Sequence, residues 1–163
     1  MLAIGEIRDD ATAQLAVRAA LTGHLVLSTL HAGSCRGVLE RLLAMCPDAM
    51  SVASALGLVV NQRLLRKSCG TCAGSGCPTC LGSGFRGRTP VVEFLSVNAE
   101  QRRSLGGRRL EGMDPSRLLA EAARELCAAG LTTARCSSSA GDAICTMRGS
   151  EAGRRFARKM PAQ

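Results

Sequence analysis

The sequence has little of what aromatic binding surfaces need. Its 163 residues contain no tryptophan, no tyrosine and three phenylalanines. Single-stranded nucleic acid binds largely by stacking on aromatic rings, so a nucleic-acid partner is not expected. Lysine is also scarce, since Lys67 and Lys159 are the only two, and the net charge of +8 comes almost wholly from arginine. That excess favours anionic partners such as phosphates or acidic lipid, although scattered solvated arginines explain it equally well.

Long apolar runs and a secretory signal are absent too. The longest apolar run, around Ala55 to Val60, is far shorter than the roughly 20 residues that cross a bilayer. No basic segment precedes an apolar stretch at Met1 to Glu6, which does not support a signal peptide. We therefore expect a cytoplasmic protein with at most peripheral membrane contact. In that compartment the nine cysteines indicate metal binding rather than disulfides.

Apolar periodicity and capping residues predict a mixed α/β chain. The predicted elements are a helix capped by Asp9 or Asp10 and ending near Leu21, a strand at His24 to Leu30, a helix from Ser34 to about Met45, a helix from Asp48, a strand at Val91 to Val97, and a helix from Asp114 to about Ala129. The strand at 24–30 lacks alternation, which predicts burial on both faces, as in a parallel sheet. Periodicity leaves open whether residues 61–66 finish the third helix or begin a strand.

Two C-x-x-C pairs give the strongest chemical signal. Cys69 and Cys72 form the first pair, Cys77 and Cys80 the second, and a Gly-x-Gly sequence follows each. A two-residue spacer lets both thiolates of a pair reach one ion, and two pairs complete the tetrahedral shell of a structural zinc. Because four thiolates leave no open position, a catalytic zinc is not expected.

The sequence favours this metal site over a redox dithiol and over a role for the other cysteines. A redox dithiol is disfavoured because the pairs lie in a polar, turn-rich segment without the strand-to-helix pattern of thioredoxins. The remaining cysteines lack ligand spacing, and those in helical stripes are expected to be small buried hydrophobes. The cysteines in helical stripes are Cys35, Cys46 and Cys127, and the other two without ligand spacing are Cys136 and Cys145.

Several separated motifs together resemble the type II secretion and type IV pilus assembly ATPase family. They are Gly5-Glu6-Ile7-Arg8-Asp9, the stretch Thr22 to His31 (TGHLVLSTLH), Gln62 to Arg66 (QRLLR), the double C-x-x-C, and Gly84 to Pro90 (GFRGRTP) followed by Glu93-Phe94-Leu95. This resemblance covers about the first 97 residues. It implies the carboxy-terminal half of a RecA-like P-loop NTPase domain, with a small zinc-binding insert and a helical carboxy-terminal part.

The resemblance also implies roles for particular residues. Met1 to Glu6 would end the strand of the Walker B motif, with Glu6 the acidic residue near Mg²⁺. His24 and His31 would form the family's histidine box, whose last histidine approaches the nucleotide phosphates. Glu6 and His31 are thus expected to be catalytic, and Arg8, His24 and His31 to bind nucleotide. The alternative is that these residues have no functional role: His24 and His31 would only form hydrogen bonds with their neighbours, and Glu6 would be an acid in a turn.

The sequence departs from the family pattern in two places. It contains no G-x-x-x-x-G-K-[S/T] and no Gly-Lys pair at all, so the loop that cradles phosphates is missing and ATP turnover by this chain alone is not expected. The resemblance places that loop upstream of Met1. After Val97 only Ala129 to Thr133 (AGLTT) is faintly similar, and residues 135–163 are expected to form a weakly ordered, degenerate or frame-shifted tail.

These observations predict four segments and one leading function. The segments are a partial RecA-like core at 1–68, a zinc-binding segment at 69–88, a strand plus helical subdomain at 89–134, and the tail. The resemblance implies part of a hexameric motor at the cytoplasmic face of the inner membrane, using ATP and Mg²⁺ beside secretion or pilus platform proteins. The alternative is a zinc-dependent protein-binding module that resembles the cysteine-rich region of J-domain cochaperones. That alternative accounts only for residues 69–84.

Overall fold

The computed structural model describes residues 1–133, which form a mixed α/β structure. The elements are β1 (Leu2–Glu6), α1 (Asp10–Leu21), β2 (Val26–Thr29), α2 (Cys35–Met45), α3 (Ala49–Ala55), β3 (Leu58–Ser68), β4 (Phe85–Ser96), α4 (Ala99–Gly106) and α5 (Leu119–Ala128). One 3-10 turn, Pro78–Cys80, lies between β3 and β4.

Strand β1 pairs with β2, and β3 pairs with β4. None of the helices in this part of the chain has both the length and the apolar character needed to cross a bilayer. The predicted tail, with Cys136 and Cys145, lies outside the described residues.

The first three helices begin at side chains that satisfy their free amides. Asp9 accepts a hydrogen bond from the Thr12 amide at 2.8 Å, and Ser34 accepts one from the Gly37 amide at 3.0 Å. Asp48 caps α3 in the same way. A side-chain oxygen at this position replaces a bond that the first helical turn cannot make internally. The predicted starts of these three helices are therefore confirmed.

Strands β1 and β2 form a parallel pair, as predicted. Leu2 lies opposite Val26, and Glu6 lies opposite Thr29. The prediction that β2 is buried on both faces is wrong for the described chain. Val26 packs toward the core, but Leu27 is 53% exposed. Because β2 has one described strand neighbour and the helical core covers one face, its other face is open.

Tertiary pairing changes the predicted elements nearer the carboxyl end. Residues 61–66 lie in β3, so they form a strand, and β4 begins at Phe85, well before the predicted start. Helix α5 begins at Leu119 instead of near Asp114, because Arg117 forms an antiparallel bridge with Phe94 and a residue in such a bridge is not helical. Helix α4 was not predicted, although Asn98 and Gln101 form a capping box at its start.

The described chain divides into two compact units, each with its own core. The first unit contains Met1–Asn61 and Glu93–Leu118, and the second contains, among the described residues, Gln62–Val92 and residues 119–133. The first core is built on the aliphatic side chains of the helices, with Leu39 and Leu105 fully buried. The second core is smaller. Its buried members are Leu65, Val91, Leu119, Ala122 and Ala123.

Candidate functional site

The second unit brings the four predicted cysteine ligands together. Cys69 directly follows β3, and Cys80 ends the 3-10 turn that precedes β4. The ligand atoms of Cys69, Cys72, Cys77 and Cys80 all lie within 4.8 Å of one another. Cys69 and Cys80 are buried, and the other two are half-buried. The segment therefore forms a compact cluster of thiols with limited access to solvent.

The sulfur separations fit a tetrahedral zinc centre. Sγ of Cys69 lies 3.9 Å from Sγ of Cys77, and the Cys72 and Cys80 sulfurs are 3.8 Å apart. The Cys77 and Cys80 sulfurs are 3.7 Å apart. Zinc–thiolate bonds of about 2.3 Å at tetrahedral angles place sulfurs about 3.8 Å apart. The same separations are far longer than the 2.05 Å or so of a disulfide bond. The donor set and its spacing therefore suit one zinc ion.

Backbone amides point at the cluster from equivalent places in its two halves. The Gly76 amide donates to Sγ of Cys72 at 3.2 Å, and the Gly84 amide donates to Sγ of Cys80 at 3.3 Å. Burial raises the pKa of the Cys80 thiol, but the amides of Cys77 and Gly84 and the adjoining thiols outweigh it and lower that pKa to about 6. The second half of the segment is therefore arranged to hold a thiolate, the form that binds metal.

A second cluster, in the first unit, joins Glu6, Arg8 and His31. Glu6 ends β1, and His31 lies just beyond the end of β2, so the parallel pairing brings both to the same end of the sheet. Nε2 of His31 lies 3.1 Å from Oε1 of Glu6. Nε and Nη2 of Arg8 contact Oε2 of Glu6 at 2.8 and 2.6 Å. One carboxylate thus has a guanidinium on one oxygen and an imidazole on the other.

The surroundings of Glu6 favour its ionised form. The hydrogen bond from Arg8 is the largest influence and lowers the pKa of Glu6 below its ordinary value of 4.5. Burial is the next largest and raises this pKa, and the charges of Arg8, His31 and Arg41 each lower it further. The His31 side chain is 86% exposed. The cluster therefore presents a negative oxygen pair, a ring nitrogen and a guanidinium to solvent, at the strand end where open α/β sheets bind ligands.

His24 lies apart from this cluster. It precedes β2, and the amide of Leu2 bonds to the carbonyl of Leu25, so His24 is near the start of β1 and not near Glu6. Its Nδ1 lies 3.2 Å from the hydroxyl of Thr22. Of the residues predicted to bind nucleotide, the structure brings Arg8 and His31 together and leaves His24 at the other end of the sheet.

Three further side chains act on the same region, and the sequence assigned none of them a role there. Arg41 donates to the carbonyl of His31 at 3.0 Å. The buried residue Asn61 contacts the loop between β2 and α2, and the buried residue Glu93 contacts the first residue of α2. A polar residue inside the alternating pattern of β3, flanked by Val59 and Leu65, was a signal that could have identified Asn61.

Cys35 and Cys46 are the buried hydrophobes that the sequence predicts, whereas Cys127, for which the same prediction was made, is only half-buried. The thiols of Cys35 and Cys46 are almost fully buried. Burial and then the charge of Glu93 raise the pKa of the Cys35 thiol to about 11. Burial also raises the pKa of Cys46. Because the thiolate is the reactive form, neither residue is suited to nucleophilic or metal chemistry near neutral pH.

Comparison with known proteins places these features in a family. A family model described as "Type II/IV secretion system protein" matches residues 1–140. The type II secretion system protein HxcR of Pseudomonas aeruginosa is 40% identical in an alignment 143 positions long, gaps included, that covers 83% of this chain and 29% of HxcR. The type IV pilus assembly ATPase PilB of Thermus thermophilus is 33% identical in an alignment 132 positions long that covers 64% of this chain and 15% of PilB.

A solved structure supports the fold. The ATPase DotB of Legionella pneumophila superposes with a TM-score of 0.62 at 21% identity, over 82% of this chain and 36% of DotB. At that identity the match concerns the fold alone. The chain spans less than a third of the length of HxcR and less than a sixth of PilB.

Proposed function

Because the chain belongs to the type II/IV secretion system protein family, we propose that it is one part of an ATPase motor that powers type II protein secretion or type IV pilus assembly. The observation that best supports this proposal is the pairing of Glu6 with His31 at the carboxyl end of two parallel strands. A carboxylate and a hydrogen-bond donor at that position suit a nucleotide phosphate and its metal ion.

Each side chain of this cluster has a distinct proposed task. Mg²⁺, when bound, neutralises charge on the phosphates. Glu6 would hold the metal or its waters, because its lowered pKa keeps it ionised. His31 would donate a hydrogen bond to a phosphate oxygen from its exposed ring. Arg8 donates a hydrogen bond to one oxygen of Glu6 in this structure, and it would form an ion pair with a phosphate group when nucleotide is bound. His24 lies at the other end of the sheet, so it would contact nucleotide only if that nucleotide were bound by another part of the assembly.

The chain would need a phosphate-binding loop from elsewhere in the motor. No Gly-Lys pair occurs in its sequence, and the amides and lysine of such a loop hold most of the phosphate charge. We therefore propose that ATP binding and hydrolysis need both this chain's residues and a P-loop segment, and that subunits containing both parts assemble as a homo-hexamer. It would lie against inner-membrane platform proteins at the cytoplasmic face. No nucleic-acid partner is proposed.

The tetracysteine cluster is proposed to be structural. Four thiolates complete the zinc shell and leave no position for water or substrate. The donor separations support zinc. The alternative of a zinc-dependent module like that of J-domain cochaperones is not favoured, because the family match extends far outside residues 69–84, over residues 1–140.

Nucleotide assays test this function. The zinc-loaded chain alone should bind a fluorescent ATP analogue with Mg²⁺ more weakly than about 1 mM, because most phosphate contacts are missing. With a polypeptide that supplies the P-loop region of a relative, ATP hydrolysis should appear and should fall by roughly a hundredfold or more in Glu6→Gln. Glu40→Gln is the matched control, since Glu40 is an exposed acid paired with Arg36. Hydrolysis that survives Glu6→Gln, or tight binding by the chain alone, would contradict the proposal.

A further inference from the structure

The loop between β2 and α2 determines where His31 lies. His31 to Ser34 connect Thr29 and Leu30 to the first residue of α2, Cys35. Because the imidazole is 86% exposed, packing of the ring contributes little to its position. The backbone of the loop must therefore be fixed if His31 is to stay against Glu6.

Two buried polar side chains of the paired strands β3 and β4 contact this loop and the residue that follows it. Nδ2 of Asn61 donates to the carbonyl of Gly33 at 3.1 Å. Oε1 of Glu93 accepts from the Cys35 amide at 2.8 Å and from Nδ2 of Asn61 at 3.0 Å. The three bonds are connected, because the side chains of Asn61 and Glu93 that bind the backbone here are also hydrogen-bonded to each other. Arg41 adds a bond to the carbonyl of His31 itself.

This set is more than an ordinary helix cap. Ser34 already caps α2 through the Gly37 amide. Asn61 is 7% and Glu93 is 5% exposed, and burying an amide and a carboxylate is costly unless their geometry is well satisfied. Buried polar groups of this kind favour one backbone arrangement over others, whereas apolar residues of similar size would pack with less directional preference. The two backbone groups that these side chains bind, the Gly33 carbonyl and the Cys35 amide, lie two and four residues after His31.

From this geometry we infer that Asn61 and Glu93 are positioning residues for His31. They hold the loop 31–34 so that the imidazole stays at Glu6, without touching the reacting groups themselves. The structural part of the inference concerns the His31–Glu6 geometry alone. Its consequence for nucleotide rests on the proposed function.

The first experiment observes His31 directly by NMR of the full zinc-loaded chain. The sequence has two histidines, His24 and His31, so a His24→Gln variant assigns both imidazole signals. Asn61→Ala and Glu93→Ala should move the His31 ring signals toward those of a histidine that is not paired with a carboxylate, because the contact between Nε2 of His31 and Glu6 is lost. Glu93→Gln keeps an acceptor oxygen and should retain most of the wild-type shift. Leu105→Ala, a fully buried residue of the same core, is the control for general destabilisation and should leave the His31 signals in place.

The outcomes separate positioning from a general structural role. Unchanged His31 signals in Asn61→Ala, or equal changes in Leu105→Ala, would overturn the inference. If Glu93→Ala does not fold, Asn61→Ala decides the matter, because it removes only the amide donor and leaves the carboxylate bonded to Cys35.

The second experiment uses the reconstituted ATPase. Asn61→Ala should weaken binding of the ATP analogue by about tenfold, the usual size of a lost hydrogen bond to a charged group. The double variant Asn61→Ala with His31→Ala should be no weaker than His31→Ala, because residues that act through one another are not additive. Additive losses would overturn the inference. If His31→Ala itself has no effect, the proposed function fails, and the NMR result still decides whether the loop is held as described.

Discussion

Gly76 and Gly84 occupy equivalent places in the two halves of the cysteine segment, and each lies against the backbone of the other half. A Cβ on Gly76 would meet the carbonyl oxygen of Gly82, and a Cβ on Gly84 would meet that of Gly74. The segment is a repeat of eight residues, CGTCAGSG followed by CPTCLGSG. Ser75 and Ser83 also match, since each hydroxyl donates to a cysteine carbonyl at 2.6 Å. The two halves therefore close around the thiols with the same local geometry.

This packing predicts that Gly84→Ala weakens the metal centre. Gly84 has φ of +74°, and a Cβ there would clash with backbone. The strain alone should cost about 1–3 kcal/mol of the zinc-loaded chain's free energy of unfolding. Thermal unfolding and competition for zinc with a chelator measure the effect. Gly70→Ala is the matched control, because nothing lies within 4 Å of its added Cβ. Equal stability of the two variants would show that the close approach is not needed.

Loss of the metal should unfold the cysteine segment. We expect about one zinc ion per chain, as the four-thiolate shell requires, and none in Cys72→Ser. A chelator should produce the same loss of order in wild type, because binding energy of a structural zinc is folding energy. Metal analysis and amide exchange over residues 69–84 measure both effects. Cys46→Ala is the control, since Cys46 lies in the other core and should keep full zinc. Retained zinc in Cys72→Ser would contradict the four-ligand site.

The Glu6–Arg8 pair predicts a specific pH dependence. Arg8 is the main cause of the lowered pKa of Glu6, so Arg8→Gln should raise that pKa toward 4.5. A carboxylate with a lowered folded pKa adds stability above its unfolded pKa and loses it as the pH falls through the folded value. The stability difference between wild type and Arg8→Gln should therefore be present at pH 7 and shrink below pH 4.5. Carbon-13 carboxyl NMR and unfolding at several pH values measure both quantities. Arg18→Gln, an exposed arginine of α1, should leave the Glu6 pKa unchanged.

The sequence alone predicted those features of the structure that depend on interactions between residues close together in the chain. Asp9, Ser34 and Asp48 were predictable as helix starts because each side chain satisfies amides of its own first turn. The cysteine cluster was predictable because a two-residue spacer fixes ligand reach. The start of α5 was not, because the bridge between Arg117 and Phe94 is a long-range contact.

In the candidate site, too, some residues could be predicted from the sequence and others could not. Motifs in the family's order indicated Glu6 and His31, and the parallel pairing of β1 with β2 brings them together. Asn61 and Glu93 could not be connected to His31, because the two strands that carry them are far from it in sequence and only the folded chain joins them. A polar residue within a strand pattern indicates burial with a partner but does not identify that partner.

The open face of β2 predicts a large difference between two leucines. Leu39 is fully buried in α2, whereas Leu27 is 53% exposed on β2. Leu39→Ala should lower the free energy of unfolding by about 2–5 kcal/mol, through lost burial and a residual cavity. Leu27→Ala should change it by less than about 0.5 kcal/mol, because the side chain loses little contact. Chemical denaturation of the zinc-loaded variants at two protein concentrations measures both effects. A large, concentration-dependent loss in Leu27→Ala would mean that a second molecule covers this face in solution. A large loss independent of concentration would mean that the chain itself covers it.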